Sequence, residues 1–310
     1  MSTTRPWRKL GLIFRPDPSK SWMQSHAATP TPLDLGGGRY RIYFASRDVR
    51  RRSHVGFFEV DLARPTEVEA VSDEPIVTPG PAGTFDGDGV YAASVVRTGN
   101  QVNLYTLGWN KGDPAPLFYA AAGLAVSSDD GLTFEKHGQS PIMARSDHDP
   151  ALVTAPVVLR RGSNWLMWYV SGQGWFEDEV GTLRSRYHIK LADSDDGVVW
   201  RRDGTVCITG DSDAESNIGR CWVVDRGEWF EAWYSVSGES GYRIGFAQSE
   251  DGKNWTRLDH LAGIDRSGEG WDSQSISYPA VVRHNGTDYM FYNGNGFGRD
   301  GVGLAVREAA

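Results

Sequence analysis

Five times along the chain a β-branched run, a turn and an aromatic-rich run follow one another. They read TPLDLGGGRYRIYFAS (31–46), ASVVRTGNQVNLYTLG (93–108), PVVLRRGSNWLMWYVS (156–171), CWVVDRGEWFEAWYSV (221–236) and PAVVRHNGTDYMFYNG (279–294). Each is a β-hairpin signal, strand-forming residues on either side of a Gly-containing turn. Their starts lie 62, 63, 65 and 58 residues apart. A third strand follows each hairpin: SHVGFFEV, FYAAAGLAV, YHIKLAD, YRIGFAQ and GVGLAV. In the middle three repeats that strand runs into Ser-x-Asp-Gly-x-x-aromatic and then a fourth strand, as in WRRDGTVCITG at 200–210. Antiparallel units of this length are blades of a propeller. The chain is thus expected to be all-β, one five-bladed β-propeller domain over 1–310 with four-stranded antiparallel blades. The fifth repeat ends without its fourth strand, and WRKLGLIF at 7–14 has the look of the missing one. The last blade is therefore expected to be closed by an N-terminal strand, which removes the exposed edge.

The DG-aromatic motif is a turn: Gly takes the positive φ and Asp bonds its own backbone. Asp129, Asp130, Asp195, Asp196 and Asp251 are accordingly structural. The 37 glycines and twelve each of Trp, Tyr and Phe fit a fold of many turns and strands. A net charge of −8 argues against nucleic-acid or anionic-membrane partners, which need a cationic footprint. Two cysteines, Cys207 and Cys221, in no metal-binding spacing suggest a reducing compartment or two incidental thiols. No apolar run spans a membrane or makes a signal peptide, so the expectation is cytoplasmic. The sequence leaves the oligomeric state open.

In a propeller the innermost strands surround a central tunnel, so the segments leading into them meet at one mouth. These are WMQSHAATP, FDGDGVYAA, DHDPALVTAP, DAESNIGRC and WDSQSISYP. They carry His26, Asp86, Asp88, Glu215 and Asp272 as candidate acid/base groups, and convergent polar groups in a concavity mark a default binding site. Paired carboxylates would have to stand roughly 5–5.5 Å apart for a retaining hydrolysis or 6.5–9.5 Å for an inverting one. Arg47 and Asp48 end the second strand of the first repeat as a clamp for hydroxyls or phosphate, and Arg220 with Arg299 suits an anionic group. Trp109, Trp175 and Trp271 offer faces for a sugar ring. No cofactor is expected. Ca²⁺ held by Asp/His clusters in the tunnel is the one ion considered, and no short ligand motif supports it.

The blade length, the AxSxDGxxW turns and the Pro-Val-Val inner strand resemble the five-bladed glycoside-hydrolase propellers. Those are the arabinanase/xylosidase, invertase/levansucrase and mannoside-phosphorylase groups. SHAATPTPL, RIYFASRD, FDGDGV and MWYVSG also resemble hydrolase-like proteins of polysaccharide gene clusters. The resemblance implies an acid before the inner strand of blade one, another on blade two and a Glu before a small residue and Pro on blade three. This chain has Thr29-Pro30, Tyr91-Ala92 and Thr154 at those places. A threonine hydroxyl cannot act as general acid at neutral pH. The expected function is a carbohydrate-active enzyme that cleaves or transfers a glycosyl group with an atypical acid/base set, on a small-molecule or oligosaccharide substrate. Two alternatives stand beside it: a non-hydrolytic lyase, isomerase or cyclase using His26, Tyr91 and Tyr278 for proton transfer, and a non-catalytic sugar-binding propeller.

Overall fold

A computed structural model describes residues 6–178, 181–212, 215–238 and 241–308. After β1 (Arg8–Phe14), the first repeat folds as β2 (Ser25–Gly36), β3 (Arg39–Arg47), β4 (Ser53–Asp61) and β5 (Val68–Val71). The second is β6 (Gly89–Thr98), β7 (Gln101–Lys111), β8 (Phe118–Ser127) and β9 (Glu135–Lys136). The third is β10 (Leu152–Arg161), β11 (Asn164–Glu177), β12 (Leu183–Ser194) and β13 (Val206–Ile208), and the fourth β14 (Ile218–Asp225), β15 (Phe230–Gly238), β16 (Gly241–Ser249) and β17 (Thr256–Arg257). The last is β18 (Ser277–His284), β19 (Thr287–Asn293) and β20 (Val302–Glu308).

Within a repeat the strands pair in sequence order, antiparallel. Three repeats are separate four-stranded sheets; the first two are joined through a single parallel bridge, Ser53 to Gly89. The fourth strand beside β20 is β1, in the order β1-β20-β19-β18, so the first strand of the chain completes its last sheet. Strands β2, β6, β10, β14 and β18 each touch the next, and β18 returns to β2.

The apolar core is divided among clusters that bridge successive sheets, two in most cases and three in one. Leu33, Tyr43 and Val55 meet Val90, Val102 and Leu104, for instance, and the series closes where Phe291 and Leu304 meet Ile42, Phe44 and Phe58. A strand packed on both faces needs polar residues that carry their own partners. Arg41, buried in β3, is neutralised by Glu59 at 2.6 Å and donates to the Asp130 carbonyl of the next repeat at 2.8 Å.

The repeated DG turn proves to be half of a latch. In each copy an Asp carboxylate accepts backbone N–H groups further along the turn: Asp129, two before its glycine, from Leu132 and Thr133, and Asp196 and Asp251, directly before theirs, from Val198 and Val199 and from Lys253 and Asn254. The glycine carbonyl is left facing the preceding sheet. There an aromatic residue twelve positions into each repeat meets it. Tyr43 donates to Gly131 O at 2.8 Å, Tyr105 to Gly197 O at 2.9 Å and Trp168 to Gly252 O at 2.8 Å. The fourth such aromatic, Trp233, faces a sheet with no DG turn. Its indole N–H has no partner, and it packs edge-on against Trp7 (5.4 Å) while Arg307 covers both rings. The fifth is Phe291, which has nothing to donate, and the first repeat it faces has no DG turn.

A methyl group on Gly131 would lie 2.2 Å from the Tyr43 hydroxyl, at a φ of +80° that L-residues avoid. Gly131→Ala is expected to lower unfolding free energy by about 2–4 kcal/mol, and Tyr105→Phe, which only strands a buried carbonyl, by about 1 kcal/mol. Denaturant titration checks both; a Tyr105→Phe midpoint equal to the parent's would remove the latch from the account.

Candidate functional site

Every inner strand is interrupted by a β-bulge at the same place in the repeat. The register slips between Ala28 and Thr31, Ala92 and Ser94, Thr154 and Val157, Gly219 and Trp222, and Ser277 and Ala280. A bulge re-aims side chains, and here it turns residues from all five strands toward a common cavity of 1590 Å³. Its floor comprises Thr29, Tyr91, Thr154, Arg220 and Tyr278.

Three bulges place a non-glycine residue immediately before proline in the left-handed region: Thr29 (φ 54°), Ala155 (φ 47°) and Tyr278 (φ 52°). The residue before proline prefers extended backbone, so each costs on the order of 1–3 kcal/mol and must be held by its surroundings. In each case a polar side chain of the preceding repeat around the ring does so. The Asn293 carbonyl accepts Thr29 N–H at 2.8 Å, while its amide donates to Ala27 O and Gly301 O. Ser94 donates to Pro156 O and accepts Val158 N–H, both at 3.0 Å, and Ser235 Oγ accepts Tyr278 N–H at 2.8 Å.

The walls are aromatic. Trp109 (held by Ser53 Oγ at 2.8 Å), Trp175 and Phe118 form one side, with Trp175 edge-on to Phe118 at 5.4 Å. Tyr187, Tyr242 and Phe297 form another, the two phenol oxygens 2.7 Å apart. Burial raises the pKa of Tyr187, Tyr242 and Tyr278, so these phenols are protonated hydrogen-bond donors. The lining carries five cations, Arg47, Lys111, Arg184, Arg186 and Arg220, against two carboxylates among the described residues, Glu177 and Asp178. Asp178 is engaged with Arg184 at 2.9 Å.

The sequence-derived candidates divide. Arg47, Trp109, Trp175, Arg220 and Tyr278 line the cavity. His26 and Arg299 lie at its margin, where His26 N–H reaches Arg299 O at 3.3 Å. Asp88 stands beside the wall, accepting Lys111 N–H at 2.8 Å.

The remaining acids are outside the lining. Asp86 and Asp272, both 2% exposed, occupy the same repeat position, seven residues before the inner hairpin, as does Asp149. Each is buried against a cation: Asp86 on Lys136, Asp272 on Lys9 at 2.7 Å, and Asp149 on Arg202 at 3.0 Å. Tyr292 and Tyr169 also donate to Asp272 and Asp149, so this register position belongs to the packing of the sheets. Glu215 is fixed by Arg243 and by Arg257 at 2.8 Å. Burial acts to raise its pKa, but the bonds from Arg257, Asp211 N–H and Arg243 hold it down to about 2, too low for a general acid at neutral pH. Asp48 turns back to cap its own loop, on Arg50 and Arg52 N–H, with His54 at 3.2 Å. Trp271 is packed on Tyr292 (5.2 Å) and beneath Gly303. Residues 213–214 of the fourth lead-in lie outside the described residues. Thr29 and Thr154 were legible only as replacements for missing acids, and Tyr91 as such a replacement and as a proton-transfer group of the non-hydrolytic alternative; Tyr187 and Tyr242, on third strands, had no sequence signal beyond aromatic content.

Among the described residues no group of three or more His, Cys, Asp or Glu could hold a metal ion, and no helix is long and apolar enough to cross a membrane. Cys207 and Cys221 are buried free thiols.

No family model matches the sequence. Two proteins of Mycobacterium tuberculosis do: uncharacterized protein MT1551, 41% identical over 97% of this chain and 99% of its own length, and uncharacterized protein Rv1502, 40% identical with the same coverage. The protein belongs to the family of these two. Among solved structures it is similar to BT0996 in an RGII complex (TM-score 0.75, 17% identity, 99% of this chain and 92% of that one). A putative glycoside hydrolase from Parabacteroides distasonis superposes with a TM-score of 0.72 at 15% identity over all of both chains. The Bombyx mori GH32 β-fructofuranosidase BmSUC1 does so at 0.65 and 15%, over 97% of this chain and 62% of that one. The glycoside-hydrolase propeller likeness read from the repeats therefore holds for the fold.

Burial, with Arg47 and Arg299 nearby, lowers the His26 pKa from 6.5 to about 4. As pH falls from 6.5 toward 4 the unfolded chain takes up a proton that the folded protein refuses, so stability is lost across that window. Asn tolerates the left-handed backbone at this position (φ 69°). His26→Asn should flatten the decline of unfolding free energy between those two pH values, and the His26 ring should titrate by NMR near 4; a midpoint near 6.5 would contradict the buried, cation-flanked environment.

Proposed function

We propose that the chain is a single-domain five-bladed propeller whose central cavity is the active site of a carbohydrate-active enzyme, cleaving or transferring a glycosyl group. The cavity itself carries this reading: hydroxyl, phenol and guanidinium groups from five inner strands on its floor, and aromatic faces on its walls. Flat apolar faces suit the C–H face of a pyranose or furanose, and a ring of donors suits its hydroxyls. The glycoside-hydrolase fold neighbours, one of them a complex named for RGII, support the same substrate class.

The proton-handling groups are Tyr278, Tyr91 and His26 in place of a carboxylate pair. The Tyr278 phenol is protonated and stands within electrostatic reach of Arg47 and Arg220. A neutral phenol beside two guanidinium groups can donate a hydrogen bond to a leaving oxygen on which negative charge develops, and the cations stabilise that charge. A floor without a described carboxylate to activate water favours transfer or elimination over hydrolysis. The same feature favours, as a second reading, a sugar-binding module without turnover.

Incubation with aryl glycosides and oligosaccharides in ¹⁸O-labelled water, with mass detection, tests the reading. Product is expected, and Tyr278→Phe is expected to slow its formation about 100-fold or more with the fold intact, whereas Asp88→Asn should cost less. Sugar binding by calorimetry with no product after prolonged incubation would establish the second reading, and an unchanged rate in Tyr278→Phe would remove that phenol from the chemistry.

A further inference from the structure

The cavity floor holds positive charge that the fold does not neutralise. Arg220 is 1% exposed and reaches across the axis to three other repeats. It donates to Ala93 O at 3.0 and 3.3 Å, to Thr31 Oγ1 at 2.9 Å and to Tyr278 O at 3.4 Å. Those bonds use four of its five N–H groups, and among the described residues no carboxylate is one of its partners. Among the described residues Arg47 reaches only the Tyr91 hydroxyl with its side chain, at 3.5 Å, and its buried Nε has no partner.

Elsewhere in the same protein buried arginines are neutralised. Arg41 meets Glu59 at 2.6 Å, Arg226 meets Glu231 at 2.7 Å and Asp288 at 3.0 Å, and Arg307 meets Asp288 at 3.1 Å. An unpaired buried guanidinium is costly, and the cost falls when a ligand supplies the missing anion. Burial lowers the Arg220 pKa to about 9, which leaves it cationic at neutral pH. The lining as a whole carries an excess of cations inside a protein of net charge −8. The excess is therefore local to this cavity.

We propose that the floor is an anion site, and that the substrate is a sugar bearing a carboxylate or phosphate group seated on Arg47 and Arg220. The sugar part rests on the carbohydrate reading above; the anion part stands on the two arginines alone. Both guanidinium groups offer N–H donors in the planar arrangement that carboxylate and phosphate oxygens accept. The aromatic walls then take the ring faces.

Thermal unfolding of the full chain with added sodium phosphate, glucuronate, glucose 1-phosphate or glucose, at matched ionic strength against chloride, separates the sources. Glucuronate or glucose 1-phosphate should raise the midpoint by about 3 °C or more, while glucose should not. Arg47→Gln should lose this response and Arg47→Lys should keep part of it, with circular dichroism confirming that both fold. Should inorganic phosphate match the sugar anions, the anion site stands but the sugar part of the proposal and its support for the carbohydrate reading fall. A parent midpoint indifferent to every anion, or an Arg47→Gln response equal to the parent's, would overturn the anion site itself.

Discussion

Everything in this molecule depends on how one sheet grips the next. Among the described residues the sheets share no continuous hydrogen-bond ladder, only isolated parallel bridges such as Ser53 to Gly89 and Tyr187 to Asn217, so the ring is held largely by side chains crossing between neighbours. At the outer end the crossing is an aromatic hydroxyl or indole N–H donating to a glycine carbonyl in the next sheet's turn. At the inner end it is Asn293, Ser94 or Ser235 holding the bulge of the next inner strand. The two sets differ in consequence. The outer bonds stabilise the ring, whereas the inner ones also fix Thr29, Ala155 and Tyr278 in a backbone conformation they would not adopt alone. Site geometry and inter-sheet contact are in this sense one thing: a loosened interface releases a strained floor residue.

The closure of the ring follows the same logic. The last sheet lacks a DG turn, and the chain compensates from its other end. Trp7 takes the place of the turn against Trp233, Trp7 N–H bonds Gly263 O at 2.9 Å, and Lys9 neutralises the buried Asp272. Removing β1 would therefore leave an open edge, an exposed pair of aromatic faces and an uncompensated carboxylate together.

The architecture was legible because repetition amplifies weak signals. No single hairpin motif is specific, but five at near-constant spacing, three with the same turn, leave few alternatives. The aromatic partner of the turn was not read from the sequence, although the pattern is there once the structure reveals it: Tyr, Tyr and Trp stand at that repeat position where a DG glycine follows in the next unit, and Phe291 where none does. The same repetition misled at the site. Asp86 and Asp272 looked like converging acids because they precede inner strands, yet their recurrence with Asp149 at one register marks them as fixtures of every such sheet. A group present in three units by symmetry is more often architectural than functional. The positions that line the cavity floor, Thr29, Tyr91, Thr154, Arg220 and Tyr278, carry no acid shared between repeats. Tyr187 and Tyr242 lay beyond reach, since only the three-dimensional crossing of two third strands brings their hydroxyls together.

That distinction bears on the chemistry. Five equivalent bulges present five side chains to one cavity, and where the hydrolase pattern would have acids this chain has hydroxyls, a phenol and aliphatic neighbours. The carboxylates it retains are spent on lysines and arginines of the framework, and Glu215 is held too acidic to donate a proton near neutral pH. Charge at the floor is thus inverted: in place of anions that would stabilise a cationic transition state there are guanidinium groups and neutral phenols. Such an electrostatic field disfavours an oxocarbenium-like species and favours negative charge developing on an oxygen or beside a carboxylate. A fold like that of the glycosidases thus presents guanidinium groups where the hydrolase pattern implies acids, and glycosyl transfer as proposed would need an anion on the substrate itself to offset them.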